Sequence, residues 1–163
     1  MSNRLVFAKI ENAITWLMTK SPGLSASSSV DGSIVLSDGT ADLQGHTVIL
    51  KKNVNLSNTN VDINVTTELD QFAVAAGLTK ISAFAVKYES GTAGSYLTVK
   101  QPASNGVTNI FLAAGDGVKL AVGETHIFAF KTARAVTAST ADIICNLVST
   151  VTDAYYTIVV IGS

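Results

Sequence analysis

Cysteine, histidine and charge are all scarce in this chain. A single cysteine, Cys145, stands among 163 residues, which excludes an internal disulfide framework. Its setting, Ile143-Ile144-Cys145-Asn146-Leu147-Val148, reads as a strand, so a small buried hydrophobe is expected there rather than a nucleophile. Two histidines, His46 and His126, lie far apart in sequence and leave no local zinc pattern. Charged residues make up 14% of the chain, against roughly 25% in an average globular protein, and the formal net charge is −1. Nothing in that balance steers the chain to nucleic acid or to an anionic membrane. Serine, threonine, asparagine and glycine must cover much of the surface, or a partner must. No run approaches the roughly 18 uninterrupted apolar residues of a membrane span. The first residues are broken by Lys9, Glu11 and Asn12, so no signal peptide is expected.

What is present falls into three textures: 1–23, 24–45 and 46–163. In the first, Val6, Phe7, Ile10, Ala13, Ile14, Leu17 and Met18 recur at helical spacing. Arg4, Glu11, Asn12, Thr15 and Thr19 fall opposite, which predicts an amphipathic helix over 3–20. Ser21-Pro22-Gly23 ends it, since Pro22 disfavours helical geometry at Ser21. Such a stripe packs on the chain's own core or on a neighbour. In the second case Leu5, Val6, Phe7, Ile10, Ile14, Trp16 and Leu17 would carry partner binding, with Trp16 as the anchor. The second region is rich in Ser, Gly and Asp. Turn signals at Asp31-Gly32 and Asp38-Gly39 flank Ser33-Ile34-Val35-Leu36, predicting a short hairpin or an extended arm that crosses a surface.

From His46 the strand signal becomes regular. Strands are expected at 46–52, 61–67, 79–89, 95–101, 107–113, 117–122, 125–131, 142–149 and 155–161, with glycine-rich or polar breakers between them. Ile81, Ala83 and Ala85 alternate with Ser82, Phe84 and Val86. The segment 71–78 fits a short helix or a bent strand. The expected fold is all-β: an antiparallel β-sandwich, with a jelly roll as the favoured topology, preceded by the helix and arm. The last strand should be tied into a sheet, since a loose apolar end is costly in water.

Chemistry-bearing constellations are thin. Asp31, Asp38 and Asp42 lie in a glycine-rich stretch but lack calcium-loop spacing, so they read as turn formers. Glu68 with Asp70, and Asp116 with Glu124, read as solvated loop charges rather than an acid–base pair. No nucleophile elbow or phosphate loop is present. No cofactor or metal is expected, and no enzymatic activity. Tyr88, Tyr96, Tyr155 and Tyr156 are the aromatics that a carbohydrate-binding module would have to expose, although strand patterning puts some of them inside.

The arm, the polar linker and the β-domain together resemble small virion proteins of tailed bacteriophages, chiefly head decoration or cement proteins. The resemblance is best from Thr79 onward. It is carried by Ile81-Ser82-Ala83-Phe84-Ala85-Val86, Tyr96-Leu97-Thr98-Val99, Val118-Lys119-Leu120-Ala121-Val122-Gly123-Glu124 and the closing Ile158-Val159-Val160-Ile161-Gly162-Ser163. It implies a jelly-roll protein that coats a capsid lattice, often as a homotrimer, and clamps neighbouring copies of the major capsid protein. The implied location is the capsid surface of the virion. A tail or fibre component and a carbohydrate-binding sandwich are the alternative readings.

Overall fold

A computed structural model describes the backbone of residues 4–11, 13–19, 34–42, 44–56, 60–70, 72–137, 143–149 and 152–163. Side chains are described from Leu36 onward, except in the gaps between those ranges and in 143–149. The described chain forms strands β1 (Arg4–Glu11), β2 (Ala13–Thr19), β3 (Ile34–Leu36), β4 (Thr47–Asn55), β5 (Asn60–Asn64) and β6 (Lys80–Ser90). Then follow β7 (Tyr96–Lys100), β8 (Gly117–Ala121), β9 (Thr125–Ala135), β10 (Ile143–Ser149) and β11 (Tyr155–Gly162). They assemble into a three-stranded sheet, β2-β1-β3, and two four-stranded sheets, β5-β10-β7-β8 and β4-β11-β6-β9. Every pairing between these strands is antiparallel.

The two four-stranded sheets enclose the main core. Ile49, Phe84, Val86, Tyr88, Tyr156, Ile158 and Val160 come from one sheet. Ile63, Leu97, Val99 and Leu120 meet them from the other. Burial along the strands follows from position. β5 and β8 are edge strands that alternate between core and water, as their sequences NVDIN and GVKLA do. β6 is buried at Ile81–Val86 without alternation, because both faces of its sheet are covered there. On the outer face, Val48, Ala83, Val159 and Ile161 form a second cluster with the fully buried Leu36 of β3.

The expected N-terminal helix is corrected: β1 and β2 pair as an antiparallel hairpin, with Ile10 opposite Ile14 and Phe7 opposite Leu17. The reason lies in residue type. Val6, Phe7, Ile10, Ile14, Thr15 and Trp16 are β-branched or aromatic and favour strands, and an apolar run this dense satisfies both periods. Pairing of β1 with β3, Ile10 opposite Ile34 and Ala8 opposite Leu36, adds a third strand to a hairpin that would be marginal alone. The expected strand at 107–113 is also corrected. Asn109 sits at φ 65° and Asn105 at φ 57°, so the segment turns as a loop, and Phe111 packs edge-on against Phe128 at 5.6 Å. The 71–78 segment is not helical where described: 72–74 form a turn with Ala73 at φ 61°, and 75–78 run back from it. Its backbone returns along the chain that entered it, through Ala76 N to Glu68 O, Gly77 N to Thr66 O and Leu78 N to Val65 O.

The last strand is tied on both sides. β11 lies between β4 and β6, and Ser163 and Lys80 exchange two backbone hydrogen bonds at 2.8 and 3.0 Å. His46 N donates to Gly162 O at 2.9 Å, so the start and finish of the sandwich share one corner.

Towards the other end of β6, Lys87 Nζ meets Glu89 Oε2 at 2.5 Å. The hydrogen bond from Lys87, then one from Thr157, hold the Glu89 carboxyl below its ordinary value of 4.5. A depressed folded value means the contribution is present above the ordinary value and is lost as pH falls through the folded one. Lys87 is 46% exposed, so the contribution is at most ~1 kcal/mol. Glu89→Gln is expected to lower urea stability by up to about that amount at neutral pH. The gap from wild type should close in acid, and a gap that widened as pH fell would contradict the assignment.

Candidate interaction surfaces

The seven residues expected to bind a partner are brought together, though not on a helix. Leu5, Val6, Phe7 and Ile10 lie in β1, and Ile14, Trp16 and Leu17 in β2. Their registers place Phe7 opposite Leu17, Ala8 opposite Trp16 and Ile10 opposite Ile14, with Val6 at a shift between Leu5 and Phe7. Their side chains lie outside the described residues. β2 is an edge strand, paired on one side only among the described residues.

Where the 24–45 segment is described, it both packs and lies across the sheet: Leu36 is buried in the outer cluster, and Thr40, Asp42 and Gln44 bond to the strands beneath. Ser82 Oγ donates to Gln44 O at 2.5 Å, and Lys80 Nζ to Thr40 O at 3.1 Å. Ala133 N, on edge strand β9, donates to Asp42 Oδ1 at 3.0 Å, so this carboxylate occupies a backbone group that would otherwise face a new strand. Residues 24–33 lie outside the described residues.

A second surface comes from loops gathered at one end of the sandwich. The excursion between β5 and β6 carries Leu69, Phe72 and Val74 at 55%, 45% and 60% exposure. Its tip is built by Asp70, whose Oδ1 accepts from Phe72 N at 2.8 Å and Val74 N at 3.0 Å. That carboxylate turn lets Ala73 hold φ 61°. Lys51 Nζ pins the base of the excursion through Glu68 Oε1 at 2.8 Å. The loop between β7 and β8 adds Leu112, fully exposed, beside an open cavity of about 490 Å³.

Several of the remaining candidates for chemistry also make structural contacts. Asp116 Oδ2 accepts from Ala113 N at 2.9 Å, and Glu124 Oε2 from Ala121 N at 2.6 Å, so both carboxylates hold turns, as Asp70 does. His46 Nδ1 sits 3.4 Å from Gly39 O. The exposed His126 ring lies 5.1 Å from that of Phe128. Among the described residues no group of three or more His, Cys, Asp or Glu side chains gathers to hold a metal. Asp31 and the Cys145 side chain lie outside them. Of the tyrosines, Tyr88 and Tyr156 are buried, Tyr88 with its hydroxyl 2.6 Å from Ser95 Oγ. Tyr96 is half-buried beneath Lys119 Nζ at 4.2 Å, and Tyr155 is half-buried.

Sequence reasoning missed the apolar tip at Leu69, Phe72 and Val74. The available signal was an Asp followed by apolar residues, which reads equally as a helix start. Comparison with known proteins finds no matching family model, no matching curated protein and no matching solved structure.

Proposed function

We propose that the chain is a non-enzymatic structural protein of a virion, a capsid decoration or cement protein. It binds the major capsid protein and stabilises the capsid lattice. The observation that carries this reading is the small β2-β1-β3 sheet, which belongs to neither sandwich sheet and, among the described residues, ends on an unpaired edge at β2. An open edge offers a row of backbone donors and acceptors to an extended segment of another chain. The strand orders β5-β10-β7-β8 and β4-β11-β6-β9 interleave early and late strands in both sheets, which supports a jelly roll. Carboxylates spent on turns support a binding role over catalysis. On a lattice each copy needs only modest contacts, because symmetry repeats them and a homotrimer multiplies them again.

The test is the protein's presence in purified particles at a copy number fixed by the capsid lattice. Particles that lack it, or hold only a few copies, end this reading. A deletion of 1–20 removes β1 and β2. The truncated chain is expected to keep a cooperative β-sheet melt and to lose particle binding. An unfolded truncation would instead make the hairpin part of the core.

A further inference from the structure

Where the loop after β7 meets the wet face of the β5-β10-β7-β8 sheet, the structure has an open cleft of about 410 Å³. That is the size range of small-molecule sites, ~300–1,000 Å³. From the sheet come Asn60 and Asp62, exposed alternate residues of β5, and Lys100 at the end of β7. β10 runs between them, with Asn146 in register with both Asp62 and Lys100. From the loop come Gln101, Pro102 and Ser104. The loop wall is fixed from behind: Gln101 N donates to Asp116 O at 3.0 Å, and Gln101 O accepts from Gly115 N at 2.9 Å.

We infer that this cleft binds a neutral pyranose sugar. Three properties of the lining select that class. First, among the described residues its formal charges are one carboxylate, Asp62, and one ammonium, Lys100. An anion would meet Asp62 and a cation would meet Lys100, so a neutral ligand is preferred. Second, the polar groups mix donors and acceptors: the Lys100 ammonium donates, the Asp62 carboxylate accepts, and Asn60, Gln101 and Ser104 do both. A ring of hydroxyls, each able to donate and accept, matches such a set. Third, the Gln101 amide oxygen is buried and has no hydrogen-bond partner. Turning this amide into the cleft to meet a hydroxyl therefore breaks no bond at that oxygen, and it relieves a group that is costly to leave unpaired. This site is independent of the capsid reading and uses neither the N-terminal strands nor the exposed apolar tip.

The experiment is an amide NMR titration of the full chain with D-glucose, D-galactose, D-mannose and N-acetyl-D-glucosamine, each up to ~50 mM, for an expected Kd on the order of 1 mM. At least one sugar should give saturable shifts centred on the amides of Asp62, Lys100, Gln101 and Ser104. Gln101→Leu should weaken that sugar about tenfold or more, whereas Lys119→Ala, on the same face outside the cleft, should leave Kd unchanged. Should Gln101→Leu lose its dispersed spectrum, Asp62→Asn at an exposed position reads the same loss. The proposal is overturned if none of the four sugars gives saturable shifts at the cleft. It is equally overturned if the folded cleft variant binds as wild type does.

Discussion

Phe84→Ala is expected to cost about 3–5 kcal/mol and to lower the melting temperature on the order of 10 °C. Phe84 is fully buried on β6, at the centre of the main core. Its ring stacks on Phe128 with centroids 4.4 Å apart and lies 6.3 Å from Phe130, both on neighbouring β9. Phe128 is in turn covered by Phe111 from the loop after β7. Removing the central ring therefore loses transfer free energy and leaves a void that two rigid strands cannot close. The loss should exceed that of Phe128→Ala, whose ring is only partly buried at the sheet edge. A double-mutant cycle between the two should return a coupling of ~0.5–1.5 kcal/mol beyond area burial. Chemical denaturation checks all three quantities. A Phe84→Ala loss below ~1 kcal/mol would mean that the core is not organised around this ring.

The strands of this core were legible because their signals are local. In β6 the alternation of Ser82, Phe84 and Val86 with Ile81, Ala83 and Ala85 marks a strand, and Gly91 marks its end. The expected strands at 61–67, 79–89, 95–101, 117–122 and 155–161 each overlap an observed one within a few residues. What failed was decided by partners distant in sequence. The segment Arg4–Glu11 is a strand because Ile34 and Leu36 lie alongside it, and nothing within its own residues announces them. The 107–113 segment has strand composition but cannot run straight through Asn109 at φ 65°. The site was less legible than the fold. Exposure of Leu69, Phe72 and Val74 depends on a turn built by Asp70, and the polar cleft joins residues of two strands separated by a third. Neither arrangement leaves a fixed spacing in the sequence.

Gly162→Ala is expected to cost about 2–4 kcal/mol, an unusual penalty for a single added methyl group. A Cβ at Gly162 would lie 2.1 Å from Lys80 O and 3.1 Å from Leu78 Cδ1. The first obstacle is backbone and cannot swing aside, and it already accepts the hydrogen bond from Ser163 N at 3.0 Å. Relief requires β11 to move away from the start of β6, which also strains the bond from His46 N to Gly162 O. The cost is thus an overpacking term plus weakened hydrogen bonds at the corner where the sandwich begins and ends. Gly115→Ala separates this cause from the other reason a glycine is needed. Gly115 holds φ 87°, and a Cβ there meets nothing within 4 Å, so its penalty is conformational and should stay near 1–2 kcal/mol. Urea denaturation ranks the two variants, and amide exchange locates the damage. In Gly162→Ala the amides of His46 and Ser163 should lose protection, while that of Val99 on the other sheet follows only the global loss. Equal costs for the two glycines would show that β11 does not approach β6 as closely as its register requires. That register is what makes β11 an inner strand of its sheet, so this one methyl group tests the strand order on which the jelly-roll reading depends.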